Sequence, residues 1–168
     1  MTLEKICSRL SKDNQYHLAI QLNQIALKNW DDYVKDNVLE YKDSIAGAKH
    51  KVPQTLLIDT IDEVKKFVSK PKLYRWFKTD IKLYKLYAYF DDPIIALQDE
   101  DWVLPKNVEL TFYSTYNLLG SIVDDKINNS GNSTIYVSIN QSIKAIEMSN
   151  QLTEIEIRTI LEKAKNGM

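Results

Sequence analysis

Apolar residues recur at three-to-four spacing through most of this chain, and that period commits it to amphipathic helices packed on one another. Leu18, Leu22, Ile25 and Ala26 share one face after Asp13, a candidate N-cap. Trp30, Val34, Val38, Tyr41 and Ile45 continue the period to Gly47, a residue suited to ending a helix. Asp31 and Asp32 lie where the two stripes meet, so either one long helix or two are possible; a hairpin of two helices is the favoured reading. Leu57, Ile61, Val64 and Val68 form the next stripe, begun by Pro53 and ended by Lys65 and Lys66, whose charge suits a helix C-terminus. Pro71 separates it from Leu73, Phe77, Ile81, Tyr84 and Ala88, which predict one further helix. Asp91-Asp92-Pro93 reads as a turn, because the residue before proline is pushed out of helical geometry.

Residues 91–105 then form the longest irregular stretch. Beyond Pro105, Val108, Phe112, Tyr116, Leu119 and Val123 predict a helix of about sixteen residues, and Asn128 to Asn132 predict a loop. Thr134 to Ile139 alternates as a strand would. Ile135, Ile139, Ile143 and Ile146 also fit a helix, which is favoured because one strand has nothing to pair with. Thr153 and Glu156 make a capping box ahead of Ile157, Ile160, Leu161 and Ala164. The expected fold is all-α: one domain over residues 1–168, a compact bundle or array of six to eight helices, several paired as antiparallel hairpins.

At 168 residues the chain can remove roughly 70% of its unfolded surface from water, so a core needs no disulfide or metal staple. Cys7 is the only cysteine, which excludes an internal disulfide and a four-thiolate zinc site. A core or helix-surface role is expected for it. The N-terminus lacks the basic start and apolar run of a signal peptide, and no stretch is long enough to cross a membrane, so a cytoplasmic protein is expected. The chain contains no His-Glu-x-x-His, Walker loop or Gly-x-Ser-x-Gly, so neither an enzymatic activity nor a cofactor or metal is expected. Asp32, Asp36, Glu40 and Asp43 could line one helix face as Mg²⁺ ligands do, with Asp124 and Asp125 as a second acidic pair. Lys35 and Lys42 interleave the first group, as on a solvated surface, which is the preferred reading.

Charge is segregated although the net charge is only −1. Residues 65–85 hold eight basic residues (Lys65, Lys66, Lys70, Lys72, Arg75, Lys78, Lys82, Lys85) against Asp80 alone. Arg75, Lys78, Lys82 and Lys85 are spaced to share a helix face. With Tyr74, Trp76 or Tyr84 as stacking platforms, this stripe could grip a nucleic acid, the alternative function, although the chain as a whole is not basic. Residues 91–101 then hold Asp91, Asp92, Asp99, Glu100 and Asp101 with no basic residue, followed by Trp102. Two readings stand for Trp102: it anchors a protein partner beside the acids, or it packs into the core while the acids are solvated.

The helical hairpins, the missing catalytic motifs and the stretch from Asp91-Asp92-Pro93 to Trp102 together resemble the small helical immunity proteins of bacterial polymorphic-toxin systems. The resemblance implies a protein that binds a cognate toxin domain and occludes its active site, without chemistry of its own. The expected partner is thus a protein, a basic toxin domain fitting best, rather than a nucleic acid or a membrane. Asp91, Asp92, Asp99, Glu100, Asp101 and Trp102 are the expected contact surface.

Overall fold

The computed structural model describes the backbone of residues 2–77, 80–128 and 134–166, and the side chains of residues 2–75, 80–123 and 135–166. Among the described residues there are eight helices and one two-stranded hairpin: α1 (Leu3–Cys7), α2 (Lys12–Asp36), β1 (Glu40–Lys42), β2 (Lys49–Lys51), α3 (Leu56–Val68), α4 (Lys72–Phe77), α5 (Ile81–Gln98), α6 (Lys106–Asn128), α7 (Thr134–Met148) and α8 (Glu154–Lys165). The all-α expectation holds, with the hairpin as its one exception. No helix among the described residues is long and apolar enough to cross a membrane.

The spine is α2, started not by Asp13 but by Ser11, whose hydroxyl accepts the Asn14 amide at 3.2 Å. Leu18, Leu22, Ala26, Trp30 and Val34, each four residues apart, are all buried along it. The helix runs unbroken through Asp31 and Asp32, where a hairpin of two helices is expected from sequence. Asp32 lies on its solvent side and accepts from Lys28 at 2.6 Å and Lys35 at 2.9 Å, pairings of one-turn neighbours that favour continuity. The second expected helix does not form. Val38 and Ile45, two of its stripe residues, are 78% and 95% exposed.

In its place the chain turns back as β1 and β2, antiparallel, with Tyr41 opposite His50. The connecting turn is built by Asp43, whose Oδ1 accepts the amides of Ile45 (2.7 Å) and Ala46 (2.8 Å), and by Gly47 at φ +68°. These are local side-chain-to-backbone bonds, and apolar spacing does not register them.

The single helix expected from Leu73 to Ala88 is two helices, α4 and α5. Asp80 caps α5 by accepting the Lys82 amide at 3.1 Å, and Leu73 and Ile81 are left exposed. The turn expected at Asp91-Asp92-Pro93 is overturned too, since all three residues lie within α5. Phe90 and Ile94 are buried on either side of the Pro93 step, so tertiary packing holds a helix that the missing N–H alone would weaken. Of the irregular stretch 91–105, only residues 99–105 lie outside a helix. Residues 134–139 are helical, as favoured. The capping box forms with Thr153 Oγ1 accepting the Glu156 amide at 3.3 Å and Glu156 accepting the Thr153 amide at 2.7 Å. Of the loop expected at 128–132, Asn128 ends α6 and the rest lies outside the described residues.

The core is built on α2, α6 and α7, flanked by α3 and α5 and closed at one side by α8. A polar seam runs through it. Asn23, fully buried, donates to Ala19 O (2.9 Å) and Ser138 Oγ (3.0 Å) and accepts from Ser114 (3.0 Å) and Thr115 (3.2 Å). Two turns on, Asn29 donates to Thr111 Oγ1 and Ala145 O, both at 3.3 Å, and accepts from Asn107 and Gln151. Buried amides of α2 bonded to both α6 and α7, and in Asn29's case also to Gln151 of the α7–α8 connection, fix register as well as packing.

Candidate functional site

The outer face of α5 and the loop after it carry the acids singled out from sequence. Asp91 and Asp92 stand one turn before Ile95, and Asp99 one turn after it, so acids flank an exposed isoleucine along one helix face. The inner face holds buried Phe90, Ile94 and Ala96. Asp99 ends the helix, its amide bonded to Ile95 O at 2.9 Å, where the helix dipole disfavours a carboxylate. Glu100 takes a left-handed backbone, φ +60°, which lets the chain reverse. Asp101 then accepts the Ser44 amide at 2.9 Å, tying the loop to the hairpin turn.

Trp102 does not face solvent beside these acids. Its amide bonds to Ala96 O at 3.0 Å, and its indole, only 5% exposed, turns inward. It stands edge-on to Trp30 (6.4 Å between centroids) and Phe112 (5.5 Å) and stacks on Tyr41 (5.7 Å), which itself stacks on His50 (5.1 Å). A residue so enclosed holds the hairpin, loop and core together and offers a partner nothing. The exposed apolar side chains at this corner are others: Ile45 at the hairpin turn, Ile95 (54% exposed) and Val103 (74% exposed).

The electrostatics of the corner are one-sided. Among the described residues Asp91, Asp92, Asp99 and Glu100 have no cation within ion-pair distance, and all four are exposed. Burial first, then the fields of Asp92, Tyr89 and Asp43, push the Tyr41 phenol up to about 12, so acids of α5 and of the hairpin act on one point. The hairpin lysines 42, 49 and 51 belong to the strand face opposite Tyr41 and His50, and Lys51 is paired with Glu40 at 3.1 Å.

The basic stretch fares differently. Arg75 lies on α4 and Lys82 and Lys85 on α5, so the one-face stripe expected from their spacing is interrupted; Lys78 lies outside the described residues. Asp13 holds Arg75 (3.0 Å) and Lys72 (3.2 Å), Glu63 holds Lys66 (2.8 Å) and Lys82 (3.5 Å), and Asp80 meets Lys70 (3.7 Å). Burial opposes ionisation of Asp13, but its bonds to Arg75 and Lys72 outweigh that and hold its carboxyl below the usual range. Of the supposed stacking platforms, Tyr84 is half-buried against the core, Tyr74 lies under the Lys70 ammonium at 4.7 Å, and the Trp76 side chain lies outside the described residues.

The acids once grouped as Mg²⁺ ligands are dispersed: Asp32 and Asp36 on α2, Glu40 on β1, Asp43 in the turn. Among the described residues no cluster of three or more His, Cys, Asp or Glu side chains is placed to hold a metal ion. The side chains of Asp124 and Asp125 lie outside the described residues. Cys7 is buried in the core, and that burial pushes its thiol up to about 11. Comparison with protein families, curated proteins and solved structures finds no match to this chain.

Proposed function

We propose that the protein is a binding protein that receives a basic protein partner on the corner formed by α5, the 99–103 loop and the hairpin turn. One observation carries this reading. The fold pairs five cations of its basic stretch, Lys66, Lys70, Lys72, Arg75 and Lys82, with acids drawn from α2, α3 and the start of α5, yet leaves Asp91, Asp92, Asp99 and Glu100 without a cation at the corner that exposes Ile45, Ile95 and Val103. Aliphatic side chains supply burial on association, roughly 1.5–3 kcal/mol for each one fully covered. Clustered charge of one sign around them speeds encounter with a partner of the other sign and rejects acidic ones. The sequence resemblance narrows the partner class to a basic toxin domain, whose active site the corner would cover as a stoichiometric inhibitor.

The test begins with co-expression alongside the product of the neighbouring gene, and asks for a one-to-one complex and relief of any toxicity. In that complex, Asp91→Lys, Asp99→Lys and Glu100→Lys combined should slow association by about tenfold or more and flatten its salt dependence. Ile95→Ala should chiefly speed dissociation. Association kinetics unchanged by the triple reversal would remove this surface from the function.

A further inference from the structure

A second surface lies between α3 and α5, away from the acidic corner. Leu56, Asp59 and Glu63 share one face of α3, and Lys82, Lys85, Leu86 and Tyr89 share one face of α5; with Pro53 they enclose a trough of about 410 Å³. Glu63 meets Lys82 at 3.5 Å across one end. At the other, Tyr89 donates to Lys51 O at 3.1 Å, beside Pro53 and Leu56. The two helices therefore run antiparallel along the trough. Between these ends Asp59 and Lys85 stand on opposite walls, and among the described residues neither makes an ion pair. One rung of the charge ladder is closed by the protein itself, and the next is left open over a floor of carbon.

We propose that this trough binds a short zwitterionic peptide with apolar side chains. Its carboxylate meets Lys85, its ammonium meets Asp59, and its side chains cover Leu56, Leu86 and Pro53. A purely anionic amphiphile would face Asp59, and a purely cationic one would face Lys85, so the open rung selects a ligand carrying both charges. The termini of a dipeptide stand roughly 5–6 Å apart, since successive Cα atoms are 3.8 Å apart. It can thus span two walls whose own charges do not meet. The volume falls within the range usual for small-ligand sites, about 300–1,000 Å³.

Leucyl-leucine is the probe, titrated into the whole chain and followed by amide chemical shifts and calorimetry. Saturable binding is expected, with shifts confined to residues 53–63 and 82–89. Asp59→Asn and Lys85→Gln should each weaken it about tenfold, equivalent to about 1.4 kcal/mol, without lowering the thermal midpoint. Capping the probe as N-acetyl-leucyl-leucine amide should weaken it at least as much. The proposal is overturned by any of four results: absence of saturable shifts, shifts elsewhere, equal binding of the capped probe, or self-association of the chain that Lys85→Glu abolishes. The last would show a second copy covering the trough. None of these residues supplies the charges or aliphatic contacts of the acidic corner, so either surface can fail alone.

Discussion

Replacing Trp102 separates the structural role of the 99–103 loop from its surface role. The indole is almost fully enclosed and touches aromatic rings from three other elements, Trp30 of α2, Tyr41 of β1 and Phe112 of α6. A large aromatic buries about 150–250 Å², and at about 25 cal/mol per Å² its removal from water is worth roughly 4–6 kcal/mol, part of which alanine retains. Buried Trp→Ala changes cost about 3–5 kcal/mol, so Trp102→Ala should lie near 4 kcal/mol. That is a large share of the roughly 5–15 kcal/mol available to a domain. With a urea slope of about 1–3 kcal/mol per molar, the unfolding midpoint should fall by about 1.3–4 M, read by far-ultraviolet circular dichroism. Trp102→Phe keeps a ring against Phe112 and should lose less than half as much. Trp102→Ala with a midpoint within about 0.3 M of the parent would refute this placement of the indole and return Trp102 to the surface.

Asn23→Leu should cost about 2–3 kcal/mol rather than more, because the Ser114 and Thr115 hydroxyls can both fall back on Thr111 O, at 2.9 and 3.1 Å. Asn23→Asp should add a pH dependence that the leucine variant lacks: its buried acid is tolerated when protonated, so stability declines as pH rises through the carboxylate range. Chemical denaturation at several pH values distinguishes the two, and identical pH profiles would count against full burial of the seam. Asp13 has the opposite sign. Its folded-state value lies below the ordinary 3.8, so its contribution is complete above 3.8 and is lost as pH falls through the lowered value. Asp13→Asn should therefore flatten the acid limb of a stability–pH curve, and an unaltered limb would show that the Arg75 and Lys72 bonds do not persist in solution. Cys7, raised by burial from 9.0 to about 11, should resist iodoacetamide near neutral pH in the folded chain and react rapidly in urea; equal rates would place the thiol at the surface.

Helix existence was legible wherever burial alone set the period. The stripes of α3, α6, α7 and α8 fall on residues that are in fact buried: Leu57, Ile61, Val64 and Val68; Val108, Phe112, Leu119 and Val123; Ile135, Ile139, Ile143 and Ile146; Ile157 and Leu161. Failures occurred where a local polar bond or a distant packing partner overrode that period. Val38, Tyr41 and Ile45 keep helical spacing, but the Asp43 side chain and Gly47 close a turn instead, and Tyr41 is claimed by Trp102. Pro93 signals a break that buried Phe90 and Ile94 overrule. The Asn23 and Asn29 seam left no sequence signal at all. A buried asparagine and a solvated one look alike until the helices that satisfy it are placed.

The candidate surface shows the same division between what a chain order can say and what packing decides. Basic and acidic blocks adjacent in sequence suggest that they neutralise one another, yet the fold pairs the basic block with Asp13, Glu63 and Asp80. Two of those three acids lie outside residues 65–101, so no local count of charge could have shown that five of its cations, Lys66, Lys70, Lys72, Arg75 and Lys82, were already paired. The acidic block is left over because α5 turns Asp91, Asp92 and Asp99 outward while its inner face carries Phe90, Ile94 and Ala96. Trp102, of the six residues expected from sequence to form the contact surface, is the one that the core requires. Its removal from the surface does not empty the corner: the packing that buries Trp102 against Tyr41 also holds the hairpin turn at Asp101, through the amide of Ser44, the residue before exposed Ile45. The aliphatic contacts that the proposal needs thus follow from the same packing that withdraws the aromatic one.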